Sequence, residues 1–520
     1  MNYGFVIDQR KCIGCHACTV ACKAENDVPV GVFRTWVKYI EKGEFPNTRR
    51  HFSVMRCNHC ANAPCVAICP TKALYTRHDG IVDFDARRCI GCKSCMAACP
   101  YDAIYIDPDE HTAAKCNYCA HRVDVGLQPA CVLVCPVQAI ISGDLDDPSS
   151  TISRLVAREP VRARKPEQGT KPKLFYIGAD EASLVPESTL QPSQYMWSEV
   201  HPWEQDKVDL LSLANASQHY RNGNEVEAAA SATSVSAAPR TVYNVAHEKP
   251  WEKLVSGYLW TKSIAAGALI VAGGLLGLGL LSDIVVRLAA PLVALVFLAL
   301  TTVLLVVDLG KPFRFLYILT KPNWTSWLVW GSYVLLGYGL VGALWLAAWL
   351  AGLPAVLSGL AWPAMAFGSA AAIYSAFLFG QAEARDFWQT PLLPLHLLVQ
   401  AVVAGSAVLL LIESLGGFSG RSVLAVILAS SIVVHVLFVV AEIVVPHPNL
   451  MVSQSSELIV RGPYARRFWG LAICGGCALP LALLAAGTLA GFGIAAVLAV
   501  LGLLFYEDVW VQAGQAVPLS

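Results

Sequence analysis

Charge is scarce in this sequence. Asp, Glu, Lys and Arg make up 15% of its 520 residues, and 38 basic residues balance 38 acidic ones. That balance excludes a basic field for nucleic acid. The shortage is uneven, because only eleven Lys and Arg lie beyond residue 250. With 55% hydrophobic residues and a mean hydropathy of +0.50, the chain is too apolar for a soluble protein and too long for one domain. Cysteine is missing from most of the chain, since sixteen of the 18 fall between Cys12 and Cys135. No signal peptide is expected at the start, where Met1 to Ile7 is short and Asp8, Arg10 and Lys11 follow at once. No twin-arginine signal precedes the first cysteine.

What is present divides in three. Residues 1–210 hold the cysteines, short strand-like runs such as Gly80–Phe84 and Ala103–Ile106, and a mixed polar extension. Residues 211–250 include an Ala- and Ser-rich stretch with little to bury and predict a linker. Residues 251–520 carry eight apolar runs, at 263–281, 288–307, 327–351, 361–380, 391–412, 422–444, 468–487 and 489–506. Most reach the roughly 20 residues that a helix needs to cross a bilayer, where backbone groups must be satisfied internally. The expected fold class is an α+β double ferredoxin-like iron-sulfur domain followed by an all-α polytopic membrane bundle of eight helices.

Four cysteine blocks dominate the first part. They are Cys12-x2-Cys15-x2-Cys18-x3-Cys22, Cys57-x2-Cys60-x4-Cys65-x3-Cys69-Pro70, Cys89-x2-Cys92-x2-Cys95-x3-Cys99-Pro100 and Cys116-x2-Cys119-x11-Cys131-x3-Cys135-Pro136. Cysteines at every third residue present thiolates to one face of a tight loop. In two-cluster ferredoxins the fourth ligand comes from the partner block. Zinc ribbons use two Cys-x2-Cys pairs rather than triplets ending in Cys-Pro. Crossed pairing gives Cys57, Cys60, Cys65 with Cys99, and Cys89, Cys92, Cys95 with Cys69. It likewise gives Cys12, Cys15, Cys18 with Cys135, and Cys116, Cys119, Cys131 with Cys22. Four 4Fe-4S clusters are expected.

Cys57-Asn-His-Cys60, Cys69-Pro-Thr-Lys-Ala73, Cys89-Ile-Gly-Cys92, Cys99-Pro-Tyr-Asp-Ala103, Gly143-Asp-Leu-Asp-Asp-Pro148 and Gly169-Thr-Lys-Pro172 resemble the four-cluster subunit of the dimethyl sulfoxide reductase family, over about residues 3–180. That resemblance implies wiring between a molybdopterin-containing catalytic subunit and a membrane quinone site. Asp308-Leu-Gly-Lys-Pro312, Asn323-Trp324, Arg461-Gly-Pro463 and Gln512-Ala-Gly-Gln515 resemble the membrane subunit of polysulfide reductase-like complexes, over about residues 255–515. That implies eight helices without haem and a site for menaquinone or ubiquinone.

Ionisable groups within membrane helices are costly and therefore mark function. Asp308 ends the second run, and His435 and Glu442 lie seven apart on one face of the sixth. Even-numbered helices end on the side where the cluster domain enters. Asp308, Glu442 and the group Glu383, Arg385 and Asp386 are therefore expected to gather there, with Asp308, His435 and Glu442 as the quinone-reactive residues. A haem is not expected, because His396 and His435 read as lying at different depths. Cys474 and Cys477 read as small residues for helix packing.

Together these features point to an electron-transfer and quinone-interacting subunit of an oxidoreductase, with no substrate chemistry of its own. An energy-coupling module of a quinol-oxidising complex partnered with cytochromes is the second expectation, and a plain anchor the third. Lys253, Lys262, Lys311, Arg314, Lys321, Arg385, Arg461, Arg466 and Arg467 outnumber Arg287 and Arg421 across the membrane, which predicts an inner-membrane protein with its cluster domain in the cytoplasm.

Overall fold

The computed structural model describes residues 1–43, 46–189, 239–417, 420–445, 447 and 449–520. The cysteine-rich half is built from short strands and helical turns. Strands β1 (Tyr3–Asp8), β8 (Ile140–Asp144), β9 (Val161–Arg162) and β10 (Leu174–Ile177) form a sheet in the order β8-β1-β10-β9, with β1 and β10 parallel. The runs Gly80–Phe84 and Ala103–Ile106 become β5 (Val82–Phe84) and β6 (Ile104–Ile106). These pair with β4 (Leu74–Thr76) and β7 (Ala113–Lys115) as two hairpins. A further, three-stranded sheet joins β2 (Thr35–Lys42), β3 (Arg49–Arg56) and β11 (Arg240–Tyr243). Most of the expected linker, 211–238, lies outside the described residues, and its end returns to the cluster domain as β11.

The cysteines supply much of the apolar filling in two separate cores. One packs Cys57, Cys60, Cys65, Cys69, Cys89, Cys95, Cys99 and Cys116 with Ile68, Leu74 and Tyr101. The other packs Cys18 and Cys131, flanked by Cys12 and Cys135, with Phe5, Ile7 and Tyr176. The second and third blocks share the first core, which also takes in Cys116 of the fourth, and Cys131 and Cys135 of the fourth pack with the first block.

Among the described residues eight helices are long and apolar enough to cross a membrane: α1 (Lys253–Gly277), α2 (Val285–Val307), α3 (Trp327–Leu350), α4 (Pro354–Gly380), α5 (Leu393–Gly416), α6 (Arg421–Val444), α7 (Arg467–Ala486) and α8 (Leu489–Gly514). The first starts ten residues before the expected Ser263. Tyr258 and Lys262 are buried within the protein, and their polarity hides the start of the helix from a hydropathy count. α7 and α8 part at Gly487, whose φ of +65° suits glycine, and Thr488 caps the next helix. α1 is the hub of the bundle and the most deeply buried of the eight. A Cβ at Gly267 would strike the Ala401 carbonyl of α5, so small residues let these helices touch. Cys477 is buried beside Gly476, which abuts Gly502 of α8.

Candidate functional site

Each cysteine block bends through left-handed residues. His16, His59, Lys93 and Tyr118 have φ between +43° and +63°. The loops aim backbone N–H groups at sulfur: His59 and Gly91 donate to Cys57 and Cys89 at 3.4 Å, and Ala139 donates to Cys135 at 3.2 Å. Cys12 neighbours Cys15 and Cys135, and Cys22 neighbours Cys119 and Cys131. Cys65 neighbours Cys57, Cys60 and Cys99, while Cys92 neighbours Cys89 and Cys69. Burial pushes the thiols up, Cys18 and Cys99 to about 11 and Cys22, Cys60 and Cys92 to about 12. Such thiols ionise only when a metal takes their charge.

The donor set suits a cluster. Cys65 with Cys57, Cys60 and Cys99 brings four thiols from two blocks together, the all-sulfur ligand set that an iron-sulfur cluster takes. The fully buried Arg56 donates through Nη1 to Cys131 Sγ at 3.0 Å, and its Nε and Nη2 have no partner. Sulfide beside these thiols would supply the missing acceptors.

The third block sits directly on the membrane half. Gly310 and Lys311 donate backbone N–H groups to Gly91 and Ile90 at 3.3 and 3.1 Å. Arg314 donates to the carbonyls of Ala86 and Cys89 at 2.7 and 3.0 Å. A Cβ on Gly310 would collide with the His111 carbonyl, and one on Gly91 would lie 2.7 Å from Gly310 Cα. Asn323 Nδ2 donates to the Cys69 carbonyl at 2.8 Å, and Ser326 to that of Ile68 at 2.7 Å. The segments Asp308–Pro312 and Asn323–Trp324 are thus docking elements for the cluster domain. The cores interdigitate as well: Ala97 packs into the membrane core and Leu378 of α4 into the cluster core.

Beneath this seam lies a cavity of about 480 Å³ between α1, α2, α3 and α4. Its walls are mostly apolar, with Tyr258, Thr302, Asp308, Ser332 and Tyr374 as polar points and Cys92 at the cluster end. Asp308 meets Lys93 at 3.7 Å. Burial lifts the Asp308 carboxyl above the ordinary carboxylate range, while Lys93 pulls it back.

His435 and Glu442 do not join Asp308 there, contrary to the expectation of one shared site. His435 Nδ1 lies 2.9 Å from His396 Nε2, and His396 Nδ1 lies 3.1 Å from Glu442 Oε1. Tyr506 Oη donates to Glu442 Oε2 at 3.1 Å. The two histidines, expected at different depths, face each other directly. Of the Glu383 group, Arg385 donates to the Val517 carbonyl at 2.9 Å, and Asp386 accepts from Gln168 at 3.0 Å. Asp386 thus serves the seam, while Arg385 ties down the end of the membrane half. Sequence reasoning missed a second buried polar group. Lys262 Nζ donates to the Ala372 carbonyl at 3.0 Å and to Ser375, and Ser263 donates to Glu507 at 3.2 Å. Its signal was present, since Lys262 and Glu507 stand immediately beside apolar runs.

Comparison with known proteins agrees with both halves. Residues 241–518 match the model of the family described as polysulphide reductase, NrfD. This protein belongs to the NrfD polysulphide reductase family. Residues 11–74 and 49–145 match two 4Fe-4S dicluster domain models, so this NrfD protein carries its iron-sulfur domain on the same polypeptide. It is similar to a subunit of the tetrathionate reductase of Salmonella typhimurium strain LT2, 45% identical over 204 residues, 38% of this sequence and 81% of the relative. It is equally similar to a component of the polysulfide reductase of Wolinella succinogenes, 45% identical over 181 residues, 34% of this sequence and 94% of the relative. A thiosulfate reductase electron transfer subunit of Salmonella typhi is 48% identical over 163 residues, 31% of this sequence and 84% of the relative. This NrfD protein is an iron-sulfur electron-transfer subunit fused to a multi-pass membrane subunit.

Proposed function

We propose that the protein carries electrons between a molybdopterin-containing catalytic partner and a quinone held in the cavity beneath the third cysteine block. The observation that carries this reading is the shared wall of that cavity, where Cys92 of the cluster domain and Asp308 of the membrane domain both stand. The ligand sets are Cys12, Cys15, Cys18 and Cys135; Cys116, Cys119, Cys131 and Cys22; Cys57, Cys60, Cys65 and Cys99; and Cys89, Cys92, Cys95 and Cys69. Four 4Fe-4S clusters bound there would pass single electrons along the domain. The protein's own residues do the rest. The apolar walls exclude water from a ring-sized space, Tyr258 and Tyr374 border it, and Asp308 holds or gives up a proton beside Lys93. At the other pair of clusters Cys15 is exposed among exposed Ile13, Val20 and Leu133, which suits docking of the catalytic partner.

The cluster domain faces the cytoplasm in this reading. Lys262, Arg314 and Arg385 are engaged inside the protein. Discounting them leaves six basic residues against Arg287 and Arg421, and the sign of the bias holds. The polar chain Tyr506–Glu442–His396–His435 and the Lys262–Glu507 group favour a second reading, a module whose helices also move protons. A photoreactive quinone tests the first. It should label peptides covering 298–309 and 328–340. Labelling confined to peptides around His435 and Glu442 would move the site into the second polar group.

A further inference from the structure

Arg56 closes β3 and immediately precedes Cys57. It is 0% exposed, and its guanidinium lies 4.6 Å over the Phe5 ring. Its partner is sulfur rather than carboxylate: Nη1 donates to Cys131 Sγ at 3.0 Å, and the thiols of Cys18, Cys22 and Cys116 also stand near it. Nε and Nη2 are buried without a partner. A guanidinium cannot shed its proton to escape burial, so its cost must be met by nearby negative charge. Cys18 belongs to the first block and Cys116 and Cys131 to the fourth, so the charge stands between two ligand sets. Its pairing with Thr35 in the register of β2 and β3 holds it at that point.

We propose that Arg56 is a positioning charge that raises the reduction potentials of both clusters held by the first and fourth blocks. The inference rests on the ligand sets proposed above. Each cluster takes up one electron on reduction and gains one negative charge. A fixed cation beside the thiolates, with N–H groups free for sulfide, stabilises that reduced form. No cysteine of the second or third block accepts a hydrogen bond from this side chain, so clusters held there would be spared.

The test is a redox titration, followed by electron paramagnetic resonance, of the full chain purified anaerobically, unaltered and as Arg56→Gln and Arg56→Lys. The unaltered chain should hold about sixteen irons. Arg56→Gln should lower two of the four midpoints together, by tenfold or more in the equilibrium constant, which is 59 mV for a one-electron couple. The other two should stay in place. Arg56→Lys keeps the charge and loses the fork, so the same two should fall by less. If Arg56→Gln loses iron, Arg56→Lys decides alone. Four intact clusters with unmoved midpoints, or a shift confined to the other two, overturns the inference while the four-cluster reading stands. About eight irons in the unaltered chain removes that reading first, and this inference with it.

Discussion

Lys93→Met is the perturbation that most sharply probes the seam between the halves. Lys93 Nζ stands 3.7 Å from Asp308, with the two side chains 26% and 16% exposed. An ion pair at that distance carries ~4 kcal/mol at an effective dielectric of about 20. Solvent at the quarter-exposed ammonium screens most of this, and on the order of 1 kcal/mol remains. Burial already favours the protonated Asp308, and Lys93 opposes it. Removing Lys93 therefore moves the carboxyl further in the direction burial sets, by about fivefold in the ratio of protonated to ionised forms. An Asp308 that accepts a proton from quinol must first be ionised, so the acid limb of the rate profile should move to higher pH. Steady-state oxidation of a water-soluble quinol reads this out. On the acid limb Lys93→Met should be about fivefold slower than the unaltered protein, and the two profiles should converge at high pH. Lys93→Arg keeps the charge and should keep the profile. Superimposable profiles for Lys93→Met, or a limb displaced to lower pH, would refute the reasoning.

Further outcomes are expected. Cys95→Ser should damage the cluster that also uses Cys69 and lower the iron count by about four or fewer, while the clusters of the first and fourth blocks keep their spectra. Asp308→Asn should slow quinone turnover at least about tenfold, a loss of about 1.4 kcal/mol of transition-state stabilisation, with unchanged cluster spectra. Glu442→Gln disturbs the bonds to His396 and Tyr506 and should cost about 1–3 kcal/mol in stability by chemical denaturation, with the quinone KM unmoved. An alkaline phosphatase fused after Ser520 should be silent if both ends of the membrane domain face the cytoplasm, and strong activity would reverse the topology.

The cysteine blocks made the cluster domain legible because their spacing is local chemistry. Loop geometry and ligand number are written within about twenty residues in each block. The spanning helices were equally legible, since length and hydropathy follow from the bilayer. What the sequence hid lies in crossings between helices. His396 and His435 belong to α5 and α6, and nothing in a linear count shows that their rings meet. Tyr258 and Lys262 were hidden by their polarity, and α4 supplies the hydrogen-bond partners that let Lys262 be buried. The segment Asp308–Pro312 was noticed through its resemblance to the family, but its docking role was not. Its Gly310, Lys311 and Arg314 neighbourhood contacts backbone carbonyls of the third block, and backbone carries no sequence signature. Asp308 itself fell where expected, at the cluster side, whereas Glu442 shared that side without sharing the cavity.

The central claim is that electrons pass between quinone in the cavity and the clusters through the third block. Ser332→Trp fills the cavity from α3 without touching a cysteine or the seam. Rapid mixing of oxidised protein with quinol, followed by freeze-quench electron paramagnetic resonance, measures the step directly. The unaltered protein should show reduced clusters within its turnover time. Ser332→Trp should show them at least about tenfold more slowly, yet reduce fully with dithionite. Equal rates of quinol reduction in the two proteins would contradict the account.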